Sequence, residues 1–231
     1  MIHKHSFIKK TLGILFIILL LSIKAQAESS LPRCEGSNFP TWTDCYGKVG
    51  PLPISGDIYD GEWKSGNFHG NGIIEYSDGT KYDGQWKEGL PDGKGVLTDS
   101  NGNKYAGEFL KGKREGIGTH TSINGSKYIG RWKNDKHDGQ GTNISSNGRK
   151  YIGQWKDGLP NGKGVLMDPN GNKYVGEFIN GKRDGQGVYE MSDGSKYSGQ
   201  WKDSLPDGEG TYTFVDGKIE KGTWKKGELI K

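Results

Sequence analysis

A tyrosine recurs every 23 residues along most of this chain. The tyrosines are Tyr59, Tyr82, Tyr105, Tyr128, Tyr151, Tyr174 and Tyr197. A glycine follows each of them after two positions and an aromatic residue after four. Glycine columns that begin at Gly70, Gly72 and Gly79 recur at the same interval, and Gly47 and Gly56 extend two of them toward the N-terminus. A fixed period of this length is typical of repeat proteins, in which each unit packs mainly on its two neighbours.

Each unit has the pattern of two short β-strands. In residues 59–64, apolar or small side chains alternate with polar ones, which is typical of a half-buried strand. The glycines at 66, 70 and 72 predict a turn and the start of a second strand, where position 73 and its equivalents are all β-branched. An Asp-Gly or Asn-Gly pair such as Asp78-Gly79 closes every unit and predicts a tight hairpin turn. The sequence therefore predicts an all-β fold, an elongated array of about seven and a half β-hairpin repeats.

Composition supports this prediction and limits the partners. The chain has 40 glycines among 231 residues, which disfavours helical domains because glycine weakens helix interiors. Residues 1–27 hold four of the 32 basic residues and no acidic one, so the remaining 28 basic residues are matched by 28 acidic ones. A chain of zero net charge is not expected to bind nucleic acid through its overall charge.

The first 27 residues have the three parts of a secretory signal peptide. A basic segment precedes the apolar run at 11–23, and Ala25 and Ala27 supply the small residues of a cleavage site. An uncleaved anchor is the alternative, but 13 apolar residues are fewer than the ~20 that span a bilayer. We therefore expect cleavage after Ala27 and an exported protein, periplasmic or secreted. A eukaryotic secretory route stays open.

The remaining chain divides into a capping segment and the array. Residues 28–58 hold Cys34 and Cys45, the two cysteines of the chain, and we expect them to form a structural disulfide that closes the N-terminal end of the array. A redox or metal-binding pair is the alternative, but further ligands are lacking nearby. The array occupies residues 59–231, with units that start at the seven tyrosines and a half unit from Glu220.

At this level of detail the residues resemble a known family. The pattern Y-x-G-x-W-x-x-G-x-x-x-G-x-G at a period of 23, as in residues 59–81, is similar to the MORN repeat (membrane occupation and recognition nexus). The resemblance implies twisted arrays of β-hairpins that serve in protein scaffolding, self-association or membrane apposition. MORN repeats also accompany catalytic domains such as lipid kinases, but the sequence shows no such domain here.

No catalytic, cofactor or metal-binding pattern is evident, and we expect a protein that is not an enzyme. Among the histidines, His69 lies in a column of polar turn residues, and His120 and His137 fall at unrelated repeat positions. No phosphate loop, catalytic triad or zinc motif occurs. The segments at 99–103 and 168–172 faintly resemble calcium loops, but they lack the remaining acidic ligands and fit Asn-Gly turns. No small-molecule substrate is inferred.

Positions whose residue differs from repeat to repeat are free to carry binding specificity. Two sets of residues are candidates for binding. Tyr189, Met191, Tyr212 and Phe214 form an amphipathic interaction patch if their columns face outward, and otherwise they pack the end of the array. The second set is basic and lies at predicted turns: Lys111, Lys113, Arg114, Lys182 and Arg183.

Three binding hypotheses follow. The first is a non-catalytic exported scaffold or adaptor that binds a protein partner or a second copy of itself. The second is a peripheral membrane binder that uses the basic turns, although zero net charge disfavours attraction to anionic lipid. The third is an envelope glycan binder that uses aromatic rings as stacking platforms.

Overall fold

A computed structural model describes residues 29–230 and shows one antiparallel sheet of 17 strands. Every strand pairs with the next one along the chain, so the sheet is a continuous meander. The expected signal peptide lies outside the described residues. The elements are a short 3₁₀ helix (Phe39–Thr41) and the strands β1 (Cys45–Val49), β2 (Ile58–Lys64), β3 (Asn67–Glu75), β4 (Lys81–Lys87), β5 (Leu90–Thr98), β6 (Lys104–Leu110), β7 (Lys113–Thr121), β8 (Lys127–Lys133), β9 (Lys136–Ile144), β10 (Lys150–Lys156), β11 (Leu159–Met167), β12 (Lys173–Ile179), β13 (Lys182–Glu190), β14 (Lys196–Lys202), β15 (Leu205–Thr213), β16 (Ile219–Lys225) and β17 (Glu228–Leu229).

Each repeat is one β-hairpin, and the predicted all-β repeat array is confirmed. The first strand of a full repeat has seven residues and the second has nine, as in β2 and β3. The repeats join through the same kind of pairing that closes each hairpin, so β3 pairs with β4 of the next repeat. Stability is therefore distributed over similar local interfaces along the sheet.

The turns differ from the sequence prediction. The tight two-residue turn lies between the strands of one repeat, where Ser65 has φ 49° and Gly66 has φ 72°. Two successive residues of positive φ define the turn type that matches the twist of a hairpin. The Asp78-Gly79 pair lies instead in the longer loop to the next repeat, closed by hydrogen bonds from Tyr76 N to Thr80 O (2.8 Å) and from Gly79 N to Tyr76 O (2.9 Å). Gly79 has a positive φ in that loop and Asp78 does not, so placing the tight turn at this pair is wrong.

The second strand also begins earlier than predicted. Gly70 and Gly72 lie inside β3 and not in a turn before it. The register shifts opposite Gly70, between Gly61 and Glu62, and Gly70 adopts φ 57°. This is a β-bulge, where a left-handed residue favours glycine. The glycine column at 70 thus marks a bulge that every full repeat contains.

The core is a ladder of aromatic rings on one face of the sheet. Each repeat buries its tyrosine and the aromatic residue four positions later, and the two rings meet edge to face: the ring centroids of Tyr82 and Trp86 are 5.0 Å apart. The tyrosine also meets the corresponding ring of the next repeat, as Tyr82 meets Phe109 at 5.0 Å. Edge-to-face pairs at this separation are favourable, so the ladder ties each hairpin to the next.

The N-terminal segment covers the first strand and the first rung of the ladder. Cys34 and Cys45 form a disulfide that joins the segment to β1. Residues 32–34 run along the outer edge of β1, with hydrogen bonds from Tyr46 N to Pro32 O (2.8 Å) and from Cys34 N to Tyr46 O (2.9 Å). Trp42 packs edge to face on Trp63 at 5.2 Å. The N-terminal segment thereby pairs some of the backbone N–H and C=O groups at the outer edge of β1, which would otherwise attract another strand.

Candidate interaction surfaces

The two faces of the sheet carry different chemistry. We call the face with the tyrosine and tryptophan ladder the aromatic face and the opposite one the back face. Neighbouring residues of a strand point to opposite faces, so Tyr128 and Trp132 lie on the aromatic face while Lys127 and Ile129 lie on the back face. Because the fold is a single layer, each face presents its own surface to a partner.

The aromatic face carries two rows of side chains that change from repeat to repeat. The first, the variable row, lies directly opposite the tyrosines across the strand pairs and comprises Ile74, Leu97, His120, Asn143, Leu166, Tyr189 and Tyr212. The second, the covering row, lies opposite the Trp or Phe ring and comprises Phe68, Pro91, Arg114, His137, Pro160, Arg183 and Pro206.

The covering row closes the spaces between successive rungs. Phe68 stacks on Tyr59 with ring centroids 3.8 Å apart, and His137 stacks on Tyr128 at 3.5 Å. His137 also meets Trp132 and Trp155 edge to face. Burial in this aromatic environment lowers the pKa of His137 to about 4, because the charged imidazolium loses water there. His137 therefore packs as a neutral ring at neutral pH.

Two residues of the predicted basic turns belong to the covering row. The guanidinium carbon of Arg114 lies 4.4 Å from the ring centroid of Trp132, and that of Arg183 lies 4.5 Å from the ring centroid of Trp201. Both guanidinium groups also donate to the two-residue turn of the next repeat, Arg114 to the Asp135 carbonyl (3.1 Å) and Arg183 to that of Ser204 (2.8 Å). These contacts hold the two arginines over the ladder.

The three lysines of the predicted basic turns lie elsewhere. Lys111, Lys113 and Lys182 are exposed at or beside the two-residue turns. Lys182 forms an ion pair of 2.6 Å with Asp203 of the next repeat. Each arginine therefore lies on the aromatic face, while its neighbouring lysine extends into solvent.

The structure brings the predicted interaction patch together on the aromatic face. Tyr189 and Tyr212 belong to the variable row and lie on either side of the ladder residue Tyr197. The Tyr212 hydroxyl donates to the Met191 sulfur at 3.7 Å. Tyr212 and Phe214 meet with ring centroids 4.7 Å apart. All four side chains are half-buried, so they pack on the array and still expose part of their surface. We call Tyr189, Met191, Tyr212 and Phe214 the C-terminal patch.

Neither a metal-binding cluster of side chains nor a membrane-spanning helix occurs among the described residues. Within residues 29–230, no group of three or more His, Cys, Asp or Glu side chains is placed to hold a metal ion. In the same range, no helix is long and apolar enough to cross a bilayer. In the loop at 99–103, which faintly resembles a calcium loop, Asp99 accepts hydrogen bonds from the backbone N–H groups of Asn101 and Asn103 (both 2.9 Å).

Sequence reasoning missed a regular feature of the back face. A lysine precedes the tyrosine in six successive repeats, and the strand register aligns these lysines in one row across the sheet: Lys81, Lys104, Lys127, Lys150, Lys173 and Lys196. The sequence contains these lysines as a column one position before the repeat tyrosines. It becomes a surface feature once the pairing register is known, because register decides which columns meet across strands.

Comparison with known proteins establishes the family. The MORN repeat model matches seven consecutive segments of the chain: 59–81, 82–104, 105–127, 128–148, 151–173, 174–196 and 197–219. The chain therefore belongs to the MORN repeat family. No curated protein matches its sequence.

Two solved domains are similar in fold at low sequence identity. The first is the TCP domain of SAS-4 (dCPAP) of Drosophila melanogaster, solved in complex with a proline-rich motif of Ana2. It is 14% identical, with a TM-score of 0.43, and the match covers 84% of this chain and 99% of that one. The second is the wild-type TCP10 domain of Danio rerio CPAP, which is 15% identical, with a TM-score of 0.42 and coverage of 82% and 94%.

Proposed function

We propose that this MORN repeat protein is an exported, non-catalytic scaffold that binds a protein segment on its aromatic face. One observation carries the proposal: seven repeats hold a row of differing side chains in fixed register over a ladder that hardly changes, and the row is partly exposed in every repeat but the first, where Ile74 is buried. The ladder and its glycines are occupied with folding, whereas the variable row is free to differ. Such a surface provides specificity without a catalytic group.

The C-terminal patch is the anchor of this surface. It gathers two tyrosines, a methionine and a phenylalanine, and aromatic residues and methionine are enriched in protein interfaces. Its members also contact each other, through the Met191 to Tyr212 hydrogen bond and the Tyr212 to Phe214 ring contact. A patch that is already ordered loses little side-chain entropy on binding, which favours affinity.

Site-directed photocrosslinking in the native compartment tests the proposal. A photoreactive phenylalanine analogue replaces Tyr212 in one variant and Asn143, which lies in the middle of the same variable row, in the control. We expect a discrete protein adduct at position 212, which mass spectrometry identifies as a partner or a second copy. Equal adducts at both positions would show that the patch has no special role, and no protein adduct at position 212 would contradict the scaffold function.

Liposome flotation and glycan arrays separate the other two binding hypotheses. Flotation at physiological salt that is lost on neutralising Lys111, Lys113 and Lys182 would favour the membrane hypothesis. Glycan binding that is lost when the aromatic residues of the C-terminal patch become alanine would favour the glycan hypothesis. Under the scaffold proposal, the protein stays with the aqueous fraction and binds no glycan.

Export is the part of the proposal that rests on residues 1–27. The protein should be recovered from the periplasm or the medium with Glu28 as its first residue. Intact-mass measurement and N-terminal sequencing of the protein from its own cells decide this. A chain that still begins at Met1 would contradict cleavage and favour the anchor.

A further inference from the structure

The back face combines the lysine row with a parallel row of uncharged side chains. The second row lies on the same sheet face, two residues from the lysine row toward the middle of each strand, and carries no charge from β5 to β13. We call it the aliphatic row, and it comprises Val96, Ala106, Thr119, Ile129, Thr142, Ile152, Val165, Val175 and Val188. Ile152 and Val175 are 37% and 42% exposed, so the row is open to solvent.

The lysine row is poorly neutralised in the same region. Among the described residues, Lys81 pairs with Glu75 (3.0 Å) and Lys173 pairs with Glu190 (3.4 Å). Lys104, Lys127, Lys150 and Lys196 have no ion-pair partner within residues 29–230. The positions that face Lys127 and Lys150 across the strands are Thr121, Ile144 and Met167, which carry no charge.

We propose that this back face binds an extended acidic polypeptide, with acidic residues on the lysine row and apolar residues on the aliphatic row. The positive charge of the lysine row and the exposed apolar area of the aliphatic row lie side by side, about 7 Å apart along the strand. A polypeptide supplies both kinds of group, since acidic and aliphatic side chains alternate readily along one chain. The partner lies across the strands, parallel to the two rows.

The spacing of the lysines indicates the form of the partner. Neighbouring strands lie ~4.8 Å apart, so lysines of successive repeats are separated by roughly 9.6 Å. A polyproline II segment rises about 3.1 Å per residue with three residues per turn, so every third residue returns to the same side after about 9.3 Å. An acidic residue at every third position therefore meets successive lysines, and one of the two residues between them points toward the aliphatic row.

Sheet twist favours a narrow polypeptide over a membrane surface. Adjacent strands are rotated by about 20–25°, so the lysine row turns by roughly 45° with each repeat. A flat anionic bilayer meets only neighbouring lysines of such a row. A single polypeptide can follow the turning row over several repeats through small changes in its backbone dihedral angles.

The proposal does not rest on the function of the aromatic face, because the two surfaces lie on opposite sides of the sheet. A fluorescent peptide of six Glu-Val-Pro units is titrated with the full-length protein at physiological salt. Its isomer, with the same residues but all glutamates in one block, tests the spacing. The variant K127Q/K150Q removes two lysines of the row. The matched control K133Q/K156Q removes two lysines from the other ends of the same strands, β8 and β10.

We expect the periodic peptide to bind better than the block isomer. K127Q/K150Q should weaken binding about tenfold, the loss expected for two exposed charge contacts, while the control changes it by less than about twofold. Circular dichroism confirms that both variants keep the sheet. Equal binding of the isomer, equal losses in the two variants or no binding of the periodic peptide would overturn the proposal. Flotation with anionic vesicles that K127Q/K150Q alone abolishes would replace the peptide with a membrane.

Discussion

The ring of Tyr82 lies flat over Gly95, so that a Cβ placed on this glycine would overlap the tyrosine hydroxyl. The same ring covers Gly84, the cross-strand partner of Gly95, and its hydroxyl donates to the Gln85 carbonyl at 2.9 Å. Every full repeat has this arrangement of one tyrosine and two glycines. It explains why two of the glycine columns follow the tyrosine period without exception.

Gly95→Ala should therefore destabilise the protein. The added methyl group meets a buried ring that has no room to move, and overpacking of this kind costs about 1–3 kcal/mol in the free energy of unfolding. Urea denaturation of G95A and of the control Lys94→Ala, at an exposed position beside Gly95 on the same strand, measures the effect. Exposed substitutions cost less than about 0.5 kcal/mol, so equal costs for the two variants would contradict the role of the tyrosine.

Trp86→Phe should remove a hydrogen bond that links two repeats. The Trp86 indole N–H donates to the Gly72 carbonyl of the preceding repeat at 2.9 Å, and phenylalanine occupies the same place in other repeats, as at Phe109. The ring is thus accommodated, and we expect a loss of about 1–2 kcal/mol from the hydrogen bond and the lost area.

Trp224→Phe is the matched control for that change. Trp224 occupies the last rung, where its buried indole N–H has no partner among the described residues. Removing an unpaired donor avoids the loss of a hydrogen bond, so W224F should cost about 1 kcal/mol less than W86F. Thermal or urea unfolding of both variants decides this, and a larger loss in W224F would be incompatible with the hydrogen-bond argument.

Much of the fold follows from periodicity, because side chains that repeat in sequence repeat in space when every unit has the same length. The tyrosine and tryptophan columns were sufficient to predict hairpins and the order of the strands. The turns were harder. Ser65-Gly66 carries a weaker signal than Asp78-Gly79, yet the tight turn lies at Ser65-Gly66 in the structure. Both sites favour positive φ, and only the strand register shows which turn is the shorter one.

Register also explains what the sequence could not show at the N-terminus and in the candidate site. Gly47 lies 23 residues before Gly70, but it pairs with Gly61, just as Gly72 pairs with Gly84. Spacing alone therefore assigned it to the wrong column. Arg114 looks like a turn residue in the sequence and lies on Trp132 in the structure, because the strand extends farther than the glycines suggested.

Acid should weaken the array through His137. Burial lowers its pKa from the ordinary value of 6.5 to about 4, so between these pH values the unfolded chain binds a proton that the folded chain does not. The free energy of unfolding therefore rises with pH across this window, and the contribution of the neutral ring is lost as the pH falls toward 4. We expect a change of about 1–2 kcal/mol, since part of the ring faces solvent.

His137→Phe is the informative variant, because Phe68 already stacks on Tyr59 in the equivalent place. Urea unfolding from pH 4 to 7 should show a shallower pH dependence in H137F than in the unaltered protein. His69→Asn supplies the control, since Asn161 occupies the equivalent position in a later repeat. An unchanged pH profile in H137F would show that other groups control the acid sensitivity.

Arg183 and Lys182 are adjacent and carry the same charge, and their contacts predict different behaviour. Arg183 lies over Trp201 and donates to the Ser204 carbonyl, while Lys182 is exposed in an ion pair with Asp203. Arg183→Gln should lower the free energy of unfolding by about 1–2 kcal/mol, because it removes a cation–π contact and a charged hydrogen bond. Lys182→Gln should leave it nearly unchanged, because solvent screens an exposed ion pair. Both variants lose one positive charge, so a general effect of charge would destabilise them equally. A difference confined to R183Q would identify the arginine as part of the ladder that holds neighbouring repeats together.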